Sequence, residues 1–243
     1  MFSRLRSLFS QPSGPEVVEQ MRQDWDARAR ENARHYVATQ RENWSDDDFF
    51  RSGAIWVHDF ILSDLTTICN GRMPSRMRVL EIGCGAGRMT RSLAELFGEV
   101  HAIDISAEMI AQARTALSGC SNAKLYQNSG TDLQLFGDAE FDFVFSAIVF
   151  QHIPRKAIVE SYIREAYRVL RPGSILKCQV QGHPIPEDQA DSWIGVSFSE
   201  AEIREIAGPC GFEIKSSTGA GTQYFWLTFF KPSAVPSPYR PPE

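Results

Sequence analysis

The central part of the chain alternates short apolar runs with longer segments of helical periodicity, starting near residue 77. The apolar runs predict five strands, with the sequences RVLEI, VHAIDI, AKLYQN, FDFVFSAIVF and SILKCQV. Helical segments of about 10 to 16 residues follow several of these runs, which predicts right-handed crossovers and a largely parallel sheet. The pattern is therefore typical of an α/β protein.

Two further strands, GFEIKSS and YFWLTFFK, are predicted near the C-terminus. The segment between them is too short for a helical crossover, so the two strands are expected to pair antiparallel. Ser199 and Glu202 form a capping-box pattern at the start of the last helix. Gly98 is interpreted as the C-terminal glycine of the helix that precedes the second strand.

Residues 15–75 lack this alternation and read as helices without intervening strands. The segment is rich in Ala, Arg, Glu and Gln, breaks at NWSDDDFF, and then resumes a helical apolar pattern. Residues 1–14 are expected to be flexible and lack the continuous apolar core of a signal peptide. The proline-rich residues 233–243 are expected to be disordered.

Composition narrows the functional classes. The 243 residues carry a formal net charge of −5 without a dense block of Lys or Arg, which disfavours a nucleic-acid partner. Five scattered cysteines without a CxxC pair predict reduced thiols and a cytoplasmic location. The histidines show no metal-ligand spacing, so no metal site is predicted, and no apolar run reaches the ~18–20 residues of a membrane span.

The sequence GCGAGR directly follows the first predicted strand and indicates a ligand-binding turn. Gly83, Gly85 and Gly87 allow positive φ and a close approach of the backbone to a ligand. The NAD fingerprint requires a small residue where this chain has Arg88, and the Gly-Lys-Ser/Thr of a phosphate-binding P-loop is absent. The turn therefore favours a ligand other than a dinucleotide or ATP.

Two acidic residues narrow the ligand further. Glu81 precedes the turn, where it would repel a pyrophosphate and attract an ammonium group. Asp104 ends the second strand about twenty residues after Gly83, a spacing at which an acid accepts both ribose hydroxyls. A nucleoside that carries an ammonium group and no phosphate fits both residues, and S-adenosylmethionine has this chemistry.

The segments VLEIGCGAGRMT, VHAIDISAEMIAQAR, FDFVFSAIVFQHI and VLRPGSIL together resemble the successive motifs of class I S-adenosylmethionine-dependent methyltransferases. More narrowly, they are similar to the small-molecule enzymes labelled methyltransferase type 11. The resemblance covers roughly residues 77–180. It implies a Rossmann-like α/β domain over residues 76–232, with a seven-stranded, mostly parallel sheet whose last strand is antiparallel. It also implies methyl transfer to a small molecule.

The resemblance further implies cofactor-binding roles at matching positions. The methionine part is expected at Glu81, Gly83, Cys84, Gly85 and Gly87, the ribose and adenine at Asp104, Ile105 and Met109, and the sulfonium near Ser146, Ala147 and Ile148. Gly130, Thr131, Asp132 and Leu133 depart from the family's usual Gly-Asp-Ala, which leaves open which of them contacts the adenine. In similar enzymes the N-terminal helical segment covers the cofactor, so Tyr36, Trp44, Phe50 and Gly53 are candidate lid contacts.

Methyl transfer mainly needs alignment and a dry site, and a general base only when the acceptor arrives protonated. His152, after the fourth strand, is the candidate base, although a packing role is the favoured alternative. His183, in the loop after the fifth strand, is a second candidate. The acceptor atom stays open among oxygen, nitrogen, carbon and sulfur. A non-catalytic protein that binds S-adenosylmethionine is the alternative function.

Overall fold

The computed structural model describes residues 14–233, and the predictions for the flexible N-terminus and the proline-rich tail lie outside this range apart from Gly14 and Ser233. A single seven-stranded sheet forms the middle of the fold, and helices pack on both of its faces. The strands are β1 (Arg78–Ile82), β2 (Glu99–Asp104), β3 (Ala123–Gln127), β4 (Phe141–Ser146), β5 (Leu170–Val180), β6 (Glu213–Thr218) and β7 (Phe225–Lys231).

The strand order across the sheet is β3-β2-β1-β4-β5-β7-β6. The pairs among β1 to β5 are parallel, whereas β7 pairs antiparallel with both β5 and β6. This confirms the predicted fold class, including the antiparallel last strand. The order reverses direction between β1 and β4, so the crevice for a ligand opens at the carboxyl ends of these two strands.

In the described part of the chain, seven α-helices accompany the sheet, namely α1 (Gly14–Val37), α2 (Asp46–Phe60), α3 (Leu65–Cys69), α4 (Thr90–Leu96), α5 (Ala107–Ala116), α6 (Lys156–Val169) and α7 (Glu200–Cys210). The first three precede β1, as the helical pattern of the N-terminal segment predicts. The capping box of Ser199 and Glu202 is present at the start of α7. Within residues 14–233, no helix has the length and apolar character needed to cross a bilayer.

The central strands are buried on both faces, which explains their nearly continuous apolar sequences. In β1, Leu80 packs with α6 and α7 residues in one hydrophobic cluster. Its neighbour Val79 packs with residues of α2, α3 and α4 in another cluster on the opposite face. This two-sided burial fixes the register of β1 and thereby the position of the glycine turn that follows it.

Several predicted boundaries move in the structure. The strand predicted to extend to Phe150 ends at Ser146, because the chain leaves the sheet there and forms a short 3-10 turn. Asp46 lies inside α2 rather than in a break, since Ser45 caps this helix by accepting a hydrogen bond from the backbone of Asp48. Gly98 does not have a left-handed conformation. A Cβ there would lie 2.4 Å from the Ser75 carbonyl oxygen, so close packing explains this glycine.

Helix α1 bends at Asn32, whose φ of −166° and ψ of 81° are not helical. The Asn32 side chain caps the following turn by accepting a hydrogen bond from the His35 N–H, and it donates another to the Glu42 carbonyl. The bend brings Val37, at the end of the helix, against the glycine turn, where Gly85 leaves room for it. The N-terminal segment therefore covers the carboxyl end of β1.

Candidate functional site

The glycine turn follows β1 at the carboxyl edge of the sheet. Gly83, Gly85 and Gly87 have φ values of 76°, 52° and 83°, a region that residues with a Cβ rarely adopt. A Cβ on Gly83 would lie 2.2 Å from the Val149 side chain, and one on Gly85 would lie 2.6 Å from Val37. Gly87 instead faces the end of α5, where a Cβ would lie 2.8 Å from the Leu117 side chain. Backbone conformation and close packing thus require glycine at all three positions.

Asp104 ends β2 beside this turn, and its carboxylate holds the local backbone in place. Oδ2 accepts a hydrogen bond of 2.9 Å from the Gly85 N–H, and Oδ1 accepts one of 2.9 Å from Ser106. Burial raises the pKa of Asp104 to about 6, while the backbone donors lower it. Each carboxylate oxygen keeps acceptor capacity, so Asp104 is suited to accept hydrogen bonds from ligand hydroxyls.

Glu81 is buried behind the turn and is not among the residues that line the cleft. Its Oε2 accepts a hydrogen bond of 2.6 Å from the Thr90 hydroxyl, whereas Oε1 has no partner among the described residues. Burial raises the pKa of Glu81 to about 7, and Thr90 and Arg88 offset only part of this rise. A buried oxygen without a donor is costly, and an ammonium group reaching the turn would satisfy it.

A cleft of about 840 Å³, its open mouth included, lies over the carboxyl ends of β1, β2 and β4. Eleven of the predicted site residues line it: Tyr36, Gly83, Cys84, Gly85, Asp104, Ile105, Met109, Gly130, Ala147, Ile148 and His152. Residues separated by more than one hundred positions in the sequence therefore meet in one place. Among residues 14–233, no cluster of His, Cys, Asp or Glu has an arrangement suited to a metal ion.

The other ten predicted residues do not line the cleft: Trp44, Phe50, Gly53, Glu81, Gly87, Thr131, Asp132, Leu133, Ser146 and His183. Leu133 is fully buried in the core, and Ser146 donates a hydrogen bond to the Ile82 carbonyl. Trp44 packs on the ring of Phe49, and Gly53 lies against the backbone of Arg88, where a Cβ would be 2.0 Å from the carbonyl oxygen.

The loop after β3 presents Asn128 and Gly130 to the cleft rather than the three residues that follow. Asn128 donates a 2.7 Å hydrogen bond to the hydroxyl of Tyr162, a second cleft residue that the sequence did not single out. A detectable signal existed for Asn128, because it directly follows β3 just as Asp104 ends β2. Thr131 and Asp132 instead bond to Ser129 within the loop.

Ile148, after β4, has a left-handed φ of 58°, which is a strained conformation for a β-branched residue. Its N–H donates to Oε1 of the buried Gln179, at 3.1 Å, and this bond helps to hold the unusual backbone. Such strain is concentrated at functional sites in proteins. Here it occurs where the chain passes from β4 into the wall of the cleft.

His152 occupies the same wall in a defined hydrogen-bond arrangement. Its Nδ1 lies 2.6 Å from the Trp193 carbonyl, which only accepts, so Nδ1 carries the proton. The Gln179 amide donates to Gln151 Oε1 at 2.9 Å, which turns the Gln151 NH₂ toward His152 Nε2, 3.2 Å away. Burial lowers the pKa of His152 to about 4. The ring is therefore neutral near pH 7, with its lone pair on Nε2.

A second cavity adjoins the cleft and is called the chamber here. It encloses about 950 Å³, its open mouth included, and shares Tyr36, Val37, Arg88, Ile148 and His152 with the cleft. The remaining walls come from residues 38–40 after α1, from Trp56 of α2, from Gln151 and from the loops around residues 181–194 and 223–224. His183 is exposed and lines neither cavity.

Helix α1 connects both cavities to the rest of the fold. Asp26 accepts a hydrogen bond of 2.6 Å from Ser106, which caps α5. On the other side, Asp24 accepts from the Ser192 hydroxyl, and Arg28 donates to the Ser192 carbonyl at 3.1 Å. The helix therefore spans from Ser106, two residues after Asp104, to Ser192 in the loop after β5.

Comparison with known proteins identifies the central segment. Residues 79–173 match the family described as a methyltransferase domain, which confirms the predicted family for this part of the chain. A malonyl-[acyl-carrier protein] O-methyltransferase from Enterobacter lignolyticus is 35% identical over 107 residues, which are 43% of this chain and 40% of the relative. The chain thus spans about two fifths of the length of this curated relative.

Solved structures agree on the architecture. The DhpI–SAH complex aligns with a TM-score of 0.62 and 23% identity, over 90% of this chain and 99% of the other. The [4+2]-cyclase SpnF aligns with a TM-score of 0.66 and 17% identity, over 89% and 97% of the two chains. Likeness at this level of identity establishes the fold, and the second protein shows that the fold is not confined to one chemistry.

Proposed function

We propose that this chain, which carries a methyltransferase domain, is an S-adenosylmethionine-dependent methyltransferase that acts on a small molecule. The observation that carries the proposal is the junction of Asp104 with the glycine turn. A carboxylate with free acceptor capacity and a glycine turn that lines the cleft meet at the carboxyl ends of adjacent parallel strands. This junction suits a nucleoside with a short amino-acid tail.

The residues present fit that cofactor. Asp104 would accept from the ribose hydroxyls, and Ile105 and Met109 would flank the adenine. The orphan oxygen Glu81 Oε1, behind the turn, would take the ammonium group. When bound, S-adenosylmethionine supplies a methyl group activated by a sulfonium. The chain's part is then to hold an acceptor in line with that group and to exclude water.

His152 would serve as the general base where the acceptor arrives protonated. Its Nε2 lone pair lies in the wall shared by the cleft and the chamber, and its Nδ1 proton is fixed on the Trp193 carbonyl. The low pKa keeps the ring unprotonated at neutral pH, so the lone pair is available without prior deprotonation. The Gln151 amide donates a hydrogen bond to that lone pair, and an acceptor hydroxyl would have to displace it.

The helical segment before residue 76 would act as a lid over the domain formed by residues 76–232. Val37 packs over Gly85, and Val18 lies 3.4 Å from the position that a Cβ on Gly130 would take, so α1 packs against the cleft.

All five cysteines are free thiols, which is consistent with the cytoplasmic location predicted from their spacing.

Calorimetric titration with S-adenosylmethionine, S-adenosylhomocysteine and NADH tests the cofactor. The first two ligands are expected to bind and NADH is not. Failure of both S-adenosylmethionine and S-adenosylhomocysteine to bind would overturn the proposal. Release of S-adenosylhomocysteine in the presence of a panel of small hydroxylated and amino acceptors tests the transfer. Cofactor binding with no turnover across the panel favours the alternative, a non-catalytic protein that binds S-adenosylmethionine.

A further inference from the structure

Arg88 is a buried cation without a partner. Its side chain is 4% exposed, and its Nε has no hydrogen-bond acceptor among residues 14–233. Glu81 attracts it electrostatically, but the Glu81 carboxylate is bonded to Thr90 instead. A guanidinium that is buried without a hydrogen-bonded anion is costly to maintain. The fold keeps this group at the boundary of the cleft and the chamber.

The guanidinium lies on the chamber side of that boundary. Its central carbon is 5.2 Å from the ring centroid of Trp56, and Trp56 lines the chamber but not the cleft. Stacking on an indole holds the planar fork in one orientation and leaves its edge free for hydrogen bonds. Such an edge matches the two oxygens of a carboxylate.

The rest of the chamber wall fits a planar, apolar molecule. Tyr36, Trp56, Trp193 and Tyr224 contribute aromatic rings, and Trp193 and Tyr224 are 37% and 48% exposed at its mouth. Exposed aromatic side chains around a cavity indicate a binding surface for a ring-bearing ligand. The amides of the Gln side chains in the wall provide neutral hydrogen-bonding groups.

The charges of the wall select the ligand's charge. Its described residues include one permanent cation, Arg88, and no Asp or Glu. His152 is neutral because burial lowers its pKa. A cationic ligand therefore finds no counter-ion here, and a dianion such as a phosphate monoester finds only half of its charge balanced. The single charge of a monoanion is balanced by the single charge of Arg88.

We propose that the chamber binds the methyl acceptor, that this acceptor is an aromatic monocarboxylate, and that Arg88 binds its carboxylate while His152 faces the nucleophile. This inference rests on the proposed function. It assigns Arg88 a role in recognising the acceptor rather than the cofactor. Because Arg88 also borders the cleft, the carboxylate of S-adenosylmethionine is the competing source of the same chemistry, and the experiment must separate the two.

The test uses the full chain saturated with S-adenosylhomocysteine, titrated with hydroxybenzoates and hydroxycinnamates and, in parallel, with the uncharged amide of each. Wild-type protein is expected to prefer at least one carboxylate over its amide by tenfold or more. Arg88→Gln is expected to remove that preference while S-adenosylhomocysteine binds within threefold of the wild type. Arg88→Lys, which keeps the charge without the fork, is expected to restore part of it.

Arg91→Gln is the matched control, because Arg91 lies three residues further along the chain, in α4, where it stacks on Phe50 and donates to the Ala116 carbonyl outside the chamber. This variant is expected to keep the full preference for the carboxylate. If wild-type protein binds no carboxylate better than its amide, the inference is wrong, whatever the variants do. If Arg88→Gln instead loses tenfold or more in S-adenosylhomocysteine affinity and keeps the preference, Arg88 serves the cofactor. If the wild type does not bind S-adenosylhomocysteine, the proposed function itself is wrong.

Discussion

The cleft and the chamber share a wall but are built in different ways. The cleft is formed mainly by backbone at strand ends, where glycines and Asp104 are fixed by the sheet. The chamber is formed by side chains from α1, α2 and two loops, which meet only through long-range contacts. We therefore expect cofactor binding to depend on a few rigid positions, and acceptor binding to depend on how α1 and the loops are held together.

The largest expected effect is on turnover at the shared wall. His152→Ala should lower kcat by about 100-fold or more for an acceptor that must lose a proton, because general-base catalysis contributes about 10²–10⁴-fold. The affinity for S-adenosylhomocysteine should stay within about threefold if packing is preserved. With the cofactor held at saturation, the acid limb of the wild-type kcat/KM profile for the acceptor should fall near pH 4 rather than 6.5, because burial lowers the His152 pKa.

His183→Ala is the control for that experiment, since His183 is exposed and lines neither cavity. It should leave kcat unchanged. A loss of less than fivefold in His152→Ala would mean that His152 packs against Trp25 and Trp193 without moving a proton.

The second effect concerns the cleft alone. Asp104→Ala should weaken S-adenosylhomocysteine binding by about 100-fold, because hydrogen bonds to a charged acceptor are each worth about 1.5–3 kcal/mol. Asp132→Ala serves as control, since this acid lies in the nearby loop but not on the cleft wall. Calorimetry measures both. Equal affinities for the two variants would remove Asp104 from the cofactor site.

A third effect of about tenfold is expected from the acid behind the turn. If Glu81 takes the ammonium group, it must be ionised, so S-adenosylhomocysteine affinity should rise about tenfold from pH 6 to pH 8 around its pKa of about 7. Glu81→Gln preserves the shape and should flatten this rise. A rise that persists in the variant would assign it to another group.

Glu81 should also influence the stability of the ligand-free protein. Its folded-state pKa is raised, so the stability it contributes is present at low pH and is lost as pH rises from about 4.5 through about 7. Thermal denaturation should show a smaller decline over this range for Glu81→Gln than for the wild type.

The smallest effect tests the attachment of α1 to the chamber. Asp24→Ala removes the acceptor of the Ser192 hydroxyl and should raise the KM for the acceptor about threefold, since a single hydrogen bond contributes about 0.5–1.5 kcal/mol. Cofactor affinity should not change, because Asp24 does not line the cleft. A change of cofactor affinity larger than that of KM would contradict the separation of the two cavities.

Much of the cleft could be predicted from the sequence, because the positions of its residues are set by their place at the ends of strands. Gly83, Gly85 and Asp104 follow apolar runs whose burial leaves one register, so the positions of these residues in space follow from local pattern and topology. The same reasoning overlooked Asn128, although it follows β3 in the same way. It also included Leu133, whose place in the core depends on packing against α6.

The sequence by itself determined the α/β class, the largely parallel pairing of the sheet, the antiparallel pairing of its last two strands and the nature of the turn after β1. These features rest on periodicity and on conformations that only glycine adopts easily. The tertiary structure alone decided that Arg88 is buried without a partner, that Ile148 is strained, and that Trp56, Trp193 and Tyr224 surround one chamber. Those properties arise from contacts between distant segments, and no local pattern records which segments will meet.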